Sequence, residues 1–507
     1  MTIMKQCYGS FFVATFFGLV ALDAVSFFTL HSVFESAAFV LGAILIVGVA
    51  IKYPEWLFPV ALAEVISTSN GHSLNIELFG ASIGVRMILF AVLLCATLVR
   101  CARHRKMFLS TPWLFILALV GTVLALGVAH GIVAGYDMRN IYLDANGYVA
   151  FLYIWAAFVW VRVSSDRHRL FQAFSAGIAW IALKTLLFVL LFGHLHPKTL
   201  VPINTWIRDT RLGELTLQFD QVYRVFLQSQ WFLVVALLLL LAYIVYEQRR
   251  DFAARIALIP IFAGLVISLS RSFWVGITAG GAVLVGVFVQ SKRTLTFLKR
   301  IPDFAALKIA SLCLLYVLIA LPINGVRNAS FGRVFADRAT QTSDVAIDSR
   351  RQLLGPLLEA IARAPIQGSG LGATVTYKTK DPKYIEAHQT NVVSTYAFEW
   401  GWHDMLVKFG IAGLSLFVLL LLQCAIELVR AWKEDPARRW LYAGLLASLV
   451  ALVVTHIFSP YLNHPIGWMT LAFIVAVIPP RERQKVRQPS AAHTSVLPSL
   501  QGITSRT

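Results

Sequence analysis

Arg271 is the residue whose chemistry is easiest to read from type and setting: it sits among three serines in Ile267-Ser-Leu-Ser-Arg-Ser-Phe-Trp-Val275, between two apolar runs. A guanidinium there either snorkels to lipid phosphates or is held in a polar pocket and grips an anionic group through two parallel N–H donors. Arg224, in Gln221-Val-Tyr-Arg-Val225, stands just before the apolar run that starts near 226, with Tyr223 suited to a headgroup-level belt. Gly368, Gly370 and Gly372, in Pro365-Ile-Gln-Gly-Ser-Gly-Leu-Gly372, form a turn whose backbone N–H groups either cradle a phosphate or simply reverse the chain. His388 and His403 flank the return of the chain to apolar sequence. A neutral imidazole at that point can take a proton from an attacking hydroxyl, and Glu399 is the carboxylate alternative. Metalloprotease, Cys-x-x-Cys, nucleophile-elbow, P-loop and Asp-x-Asp patterns are absent, so no metal and no cofactor is expected.

These residues must be positioned by a membrane bundle. Of 507 residues, 58% are hydrophobic and 14% charged, against about 45–50% and about 25% in soluble domains, and the mean hydropathy is +0.71. That much apolar surface has to face lipid or other spans, which excludes soluble, collagen-like, disordered and disulfide-scaffold classes. The five cysteines lie in or beside apolar runs at no metal or redox spacing. Allowing roughly 20 apolar residues per crossing gives spans near 11–30, 33–51, 55–68, 82–99, 113–133, 143–162, 170–193, 226–246, 256–270, 273–290, 307–323, 404–429, 440–458 and 465–480, about 12–14 transmembrane helices in an all-α polytopic fold. The segments 55–68, 256–270 and 465–480 are short, as a tilted or re-entrant element would be.

The net charge of +18 is topological in origin. Clusters around Arg100–Lys106, Arg162–Arg169, Arg249–Arg255, Lys292–Arg300, Arg430–Arg439 and Arg481–Arg487 separate the apolar runs, and short Lys/Arg-rich loops stay cytoplasmic. Nucleic acid is therefore not an expected partner, and both termini are expected in the cytoplasm. The chain divides into N-terminal spans (1–323), a long periplasmic loop (324–403), C-terminal spans (404–480) and a Ser/Pro/Thr-rich cytoplasmic tail (481–507). Within the loop, Leu353, Leu354, Leu357, Leu358 and Ile361 recur at helical spacing over 350–364, with Ser349 and Gln352 as a capping box. Arg350, Arg351 and Arg363 fall off that stripe, so the amphipathic helix can lie on the membrane surface with its basic side toward headgroups or a phosphate; Pro356 argues against an unbroken helix. Inside the spans, Asp23, Glu64 and Asp144 are expected to pair with Arg86 and Lys184.

The order of these features, a Ser-Arg-Ser hairpin, an Arg-rich loop helix, Pro-Ile-x-Gly-Ser-Gly-Leu-Gly and then Lys408-Phe-Gly-Ile-Ala-Gly-Leu414 entering a span, resembles the bacterial O-antigen ligase and O-antigen polymerase superfamily over roughly residues 80–480. The resemblance implies an inner-membrane glycosyltransferase that moves undecaprenyl-diphosphate-linked glycan to an acceptor hydroxyl on the periplasmic side. It also implies that Arg271 and Arg224 grip the diphosphate, with membrane lipid, a glycan or lipid A core acceptor and other polysaccharide-assembly proteins as partners. The family's His-Asn pair is missing: His388 is followed by Gln389 and His403 by Asp404, so the base is open among His388, His403 and Glu399. A polymerase of surface or exported polysaccharide is slightly favoured over a ligase, because of the extra first spans and the missing pair. Two other classes compete: a lipid-linked oligosaccharide transporter or flippase, to which intramembrane charges would point, and a scaffold in an assembly complex.

Overall fold

The computed structural model describes residues 7–78, 81–104, 112–162, 167–218, 222–247, 251–320, 345–380 and 382–479. The tail 481–507 and the first part of the long loop, 324–344, lie outside the described residues, as do the basic residues of the last cluster and Arg105, Lys106, Arg249 and Arg250.

The fold is an all-α polytopic membrane bundle. Among the described residues, 11 helices are long and apolar enough to cross a membrane, and two shorter apolar helices join them. The N-terminal helices α1 (Ser10–Thr29) and α2 (Val33–Lys52) expose much of their apolar surface, as lipid-facing spans do. Next, α3 (Leu57–Thr68) is almost wholly buried, and its 12 residues span only about 18 Å, too little to cross a hydrocarbon core of about 30 Å. The spans α4 (Val85–Arg103) and α5 (Pro112–Val133) follow. The next crossing, Met138–Arg162, is divided: α6 (Met138–Val149), α7 (Leu152–Ala157) and a π-turn, Phe158–Arg162.

After α8 (His168–His194) and the amphipathic α9 (Pro197–Asp209) come α10 (Trp231–Tyr246), α11 (Phe252–Ile267), α12 (Arg271–Gln290) and α13 (Thr294–Ala320). The last of these starts well before the apolar run near 307, so Lys299 and Arg300 ride on its first turns, where Arg300 and Arg255 share Asp303 at 3.1 and 2.9 Å. The long loop carries α14 (Val345–Arg363) and α15 (Pro382–His388) and returns into α16 (Gly401–Glu434), which the left-handed Gly410 (φ 60°) breaks into two helices. The bundle closes with α17 (Arg439–Phe458) and α18 (Pro465–Val477).

Each of the three long connections contains an antiparallel two-stranded hairpin that the apolar pattern does not announce. They are β1–β2 (Asn75–Leu78, Ala81–Gly84), β3–β4 (Gly213–Leu217, Tyr223–Leu227) and β5–β6 (Val375–Lys378, Val392–Thr395). The loop helix also differs from expectation. Because α14 begins at Val345, Ser349 stands inside it and bonds the Tyr377 hydroxyl at 3.1 Å instead of capping the helix. Leu353 and Leu357 bury themselves with Ala373, Val375, Phe398 and Val407, so the helix covers a small core of the loop's own.

Basic residues that separate the apolar runs gather at one end of the bundle. There Arg162 meets Glu427 at 3.3 Å, the Trp432 indole bonds the Tyr246 hydroxyl at 3.0 Å, and Tyr246 in turn bonds Ser291 at 3.2 Å. The turn before Arg271 and the return of the long loop lie at the opposite ends of the same helices.

Candidate functional site

Arg224 is bonded to the turn that leads into Arg271. In the β3–β4 hairpin Arg224 pairs across from Thr216, and its Nε donates to the Ser268 carbonyl at 2.9 Å. The guanidinium lies 4.7 Å over the Phe226 ring, with Nη1 3.9 Å from Glu214. Ser268 belongs to the turn that ends α11: its hydroxyl donates to the Leu265 carbonyl at 2.6 Å, and Leu269 takes a left-handed φ of 47°. Two residues on, Arg271 opens α12, at the electropositive end of the helix dipole. Ser272 fastens that start to α17, through Ser459 Oγ at 3.1 Å and Thr455 Oγ1 at 3.2 Å.

From that turn the contacts run directly to the re-entering loop. Phe458, beside Ser459, has its ring 6.0 Å from Trp400, and Trp400 in turn lies 5.7 Å from the His403 imidazole. His403 stands in the first turn of α16 with its Nδ1 buried and unbonded among the described residues. Glu399 is ion-paired with Arg350, and the Trp400 indole donates to the Arg350 carbonyl at 2.9 Å. Five of the residues singled out in the sequence, Arg224, Arg271, His403, Glu399 and Arg350, are thus linked through Ser459, Phe458 and Trp400. Arg351 is on the exposed side of α14, and His388 is exposed at the end of α15, stacked on Tyr384 at 4.1 Å.

The glycine turn lies elsewhere. Gly368, Gly370 and Gly372 take φ of 72°, 87° and 82°, a region that an L side chain rarely enters. Their N–H groups bond the protein itself: Gly368 to Ala364, Ser369 to Val407, Gly370 to Lys408, Leu371 to Gly127, and Gly372 to the Asp144 carboxylate at 2.9 Å. The turn therefore seams the loop to α5, α6 and the break in α16, and offers none of these donors to a phosphate.

Residues 256–418 match the protein family described as O-Antigen ligase. This segment is similar to O-antigen ligases. The match contains Arg271, the loop and His403, whereas Arg224 and Asp144 come from outside it. The match supports the ligase/polymerase superfamily of glycosyl-transferring enzymes, and the apolar helices around it agree with a multi-pass membrane protein. No curated protein matches the chain.

Two parts of this constellation are not apparent in the sequence. One is the turn 459–464, a mere connection between apolar runs by composition. It holds Ser272 through Ser459, packs Tyr461 against Trp231 and Phe273, and donates from Asn463 to Asp404 at 3.1 Å. The other is Lys408, fully buried between Asp144 and Asp404, with Asp404 at 2.6 Å and also bonded by the Tyr148 hydroxyl at 2.8 Å. Buried charge in an apolar run is the signal that would have found Lys408. The turn has no such signal, because its importance comes from contacts with residues far away in the chain.

Proposed function

We propose that this protein is a bacterial inner-membrane glycosyltransferase. It moves undecaprenyl-diphosphate-linked glycan to an acceptor hydroxyl on the periplasmic side, with polymerisation of a surface or exported polysaccharide favoured over ligation to lipid A core. The observation that carries this reading is the Arg224–Ser268 bond, which ties two arginines to one turn within a few side chains of His403.

In this reading Arg224 and Arg271 hold the donor diphosphate. The bond between the anomeric carbon and the diphosphate oxygen breaks, and negative charge grows on that oxygen, where fixed guanidinium donors in a low-dielectric site stabilise it. The acceptor oxygen forms the new bond to the anomeric carbon from the opposite face, and its proton passes to a base, for which His403 is the best-placed of the three candidates. Arg350 is engaged by Glu399, so it serves the loop's architecture more than the diphosphate, and the same pairing takes Glu399 out of the role of base. Single displacement inverts the anomeric configuration.

Two results test the proposal. Arg271→Ala and Arg224→Ala are each expected to lower transfer by about 10²-fold or more while membrane insertion and protein amount stay normal, the scale on which loss of a transition-state donor acts. Full glycan production by both variants would overturn it. In a strain lacking the protein, single repeats without long chains mean a polymerase, whereas long chains stranded on the polyprenyl carrier mean a ligase.

A further inference from the structure

The buried charges around Lys408 have no part in gripping a diphosphate, yet they converge on the residue next to His403. Lys408 and Asp404 are both fully buried, and Asp144 is nearly so. Four segments distant in sequence meet there: Asp144 and Tyr148 from α6, Gly372 from the end of the glycine turn, Asn463 from the turn before α18, and Asp404 with Lys408 from α16 itself. Asp404 receives Tyr148 at 2.8 Å and Asn463 at 3.1 Å on one oxygen, and Lys408 lies 2.6 Å from the other.

The stretch that carries His403 needs such an anchor. Its N-cap, Trp400, makes no side-chain cap, and Gly410 interrupts the helix with φ 60° and ψ −170°. What remains, Gly401 to Phe409, is about two and a half turns, too short to be rigid on its own. Successive residues on a helix point about 100° apart, so fixing the Asp404 carboxylate fixes the rotation of the turn and with it the direction of the His403 ring.

We propose that Asp404, held by Lys408, Tyr148 and Asn463, is a positioning residue for His403, and that Lys408 and Asp144 carry that register to the glycine turn of the loop. The inference rests on His403 as base, and the test separates the two. Purified full-length protein is assayed with lipid-linked glycan extracted from the host strain's own membranes, comparing Asp404→Asn, Tyr148→Phe and His403→Ala. Asp404→Asn is expected to lower kcat at least about tenfold, since a small misplacement of a reacting group costs that much or more. Tyr148→Phe is expected to lower kcat several-fold, and both variants should leave the donor KM within about twofold and the protein folded. If His403→Ala loses activity while Asp404→Asn and Tyr148→Phe keep kcat within about twofold, the positioning role is wrong and the base assignment stands. If His403→Ala keeps its rate, the base assignment fails and the positioning role fails with it. Should Asp404→Asn fold poorly, Tyr148→Phe decides, because it keeps the ring packed against Phe409 and removes one hydrogen bond; a folded Tyr148→Phe protein with unchanged kcat overturns the proposal.

Discussion

Arg86 and Lys184 were legible as paired cations because an ionised group in an apolar run needs a partner. Arg86 meets Glu64 at 2.8 Å and Lys184 meets Asp23 at 2.7 Å. Both pairs are closed inside the bundle. For Lys408 the same signal marks the charge but not its partner: Asp144, expected beside Arg86 or Lys184, meets Lys408, 264 residues away, and only the packing brings the two together. His464 shows the same limit. Its Nε2 bonds the Asn70 side chain, and its Nδ1 accepts the Ile466 N–H at 3.2 Å, so it is the cap of α18 in its neutral form. Burial, reinforced by the Arg86 charge, holds its pKa down to about 3 from an ordinary 6.5. A depressed imidazole favours the folded state while neutral, and the unfolded chain takes up the proton first. The stability it contributes is therefore complete above about pH 6.5 and is lost as the pH falls from there toward 3. A lower unfolding temperature in detergent at pH 4.5 than at pH 7.5 is expected, with the difference reduced in His464→Asn, which keeps a capping side chain without a titrating one. An unchanged pH dependence in that variant would remove His464 as its source.

The helices could be read one by one from apolar runs of sufficient length, and the family resemblance from the order of short patterns between them. The hairpins could not. Their strands are four or five residues long in polar connections, and only the packing around them decides their pairing. That is why Arg224 could be singled out by type while its attachment to the turn of Arg271 stayed invisible. The seam between the glycine turn and the break in α16 makes a sharper claim. Gly410 is left-handed, and a Cβ there would run into the Ile366 carbonyl and the Gly368 backbone, neither of which is a flexible side chain. Gly410→Ala should therefore cost more than the roughly 1–2 kcal/mol of a left-handed alanine alone, and should loosen the loop along with the helix. Faster limited proteolysis within 364–380, together with a lower melting temperature, is the expected result; wild-type behaviour in both would mean that the seam does not hold the loop down.

Across the whole molecule, the separation of functions follows from charge. Among the described residues, the basic clusters between the apolar runs lie at one end, and the two arginines, His403 and the loop core lie at the other; the positive-inside rule expects the first end in the cytoplasm, so the net charge of +18 reads as topology more than as a binding surface. With that expected orientation, the proposed reaction lies on the periplasmic side. Sidedness can be tested without knowing the sugar. Lys378, on β5, and Lys433, at the far end of α16, are both exposed. In a background with the five cysteines replaced, Lys378→Cys is expected to react with a membrane-impermeant thiol reagent added to cells with a permeabilised outer membrane, and Lys433→Cys only after the inner membrane is opened. The reverse pattern would put the loop and both arginines in the cytoplasm, where the proposed acceptor is not exposed, and would require a different donor for the same constellation of residues.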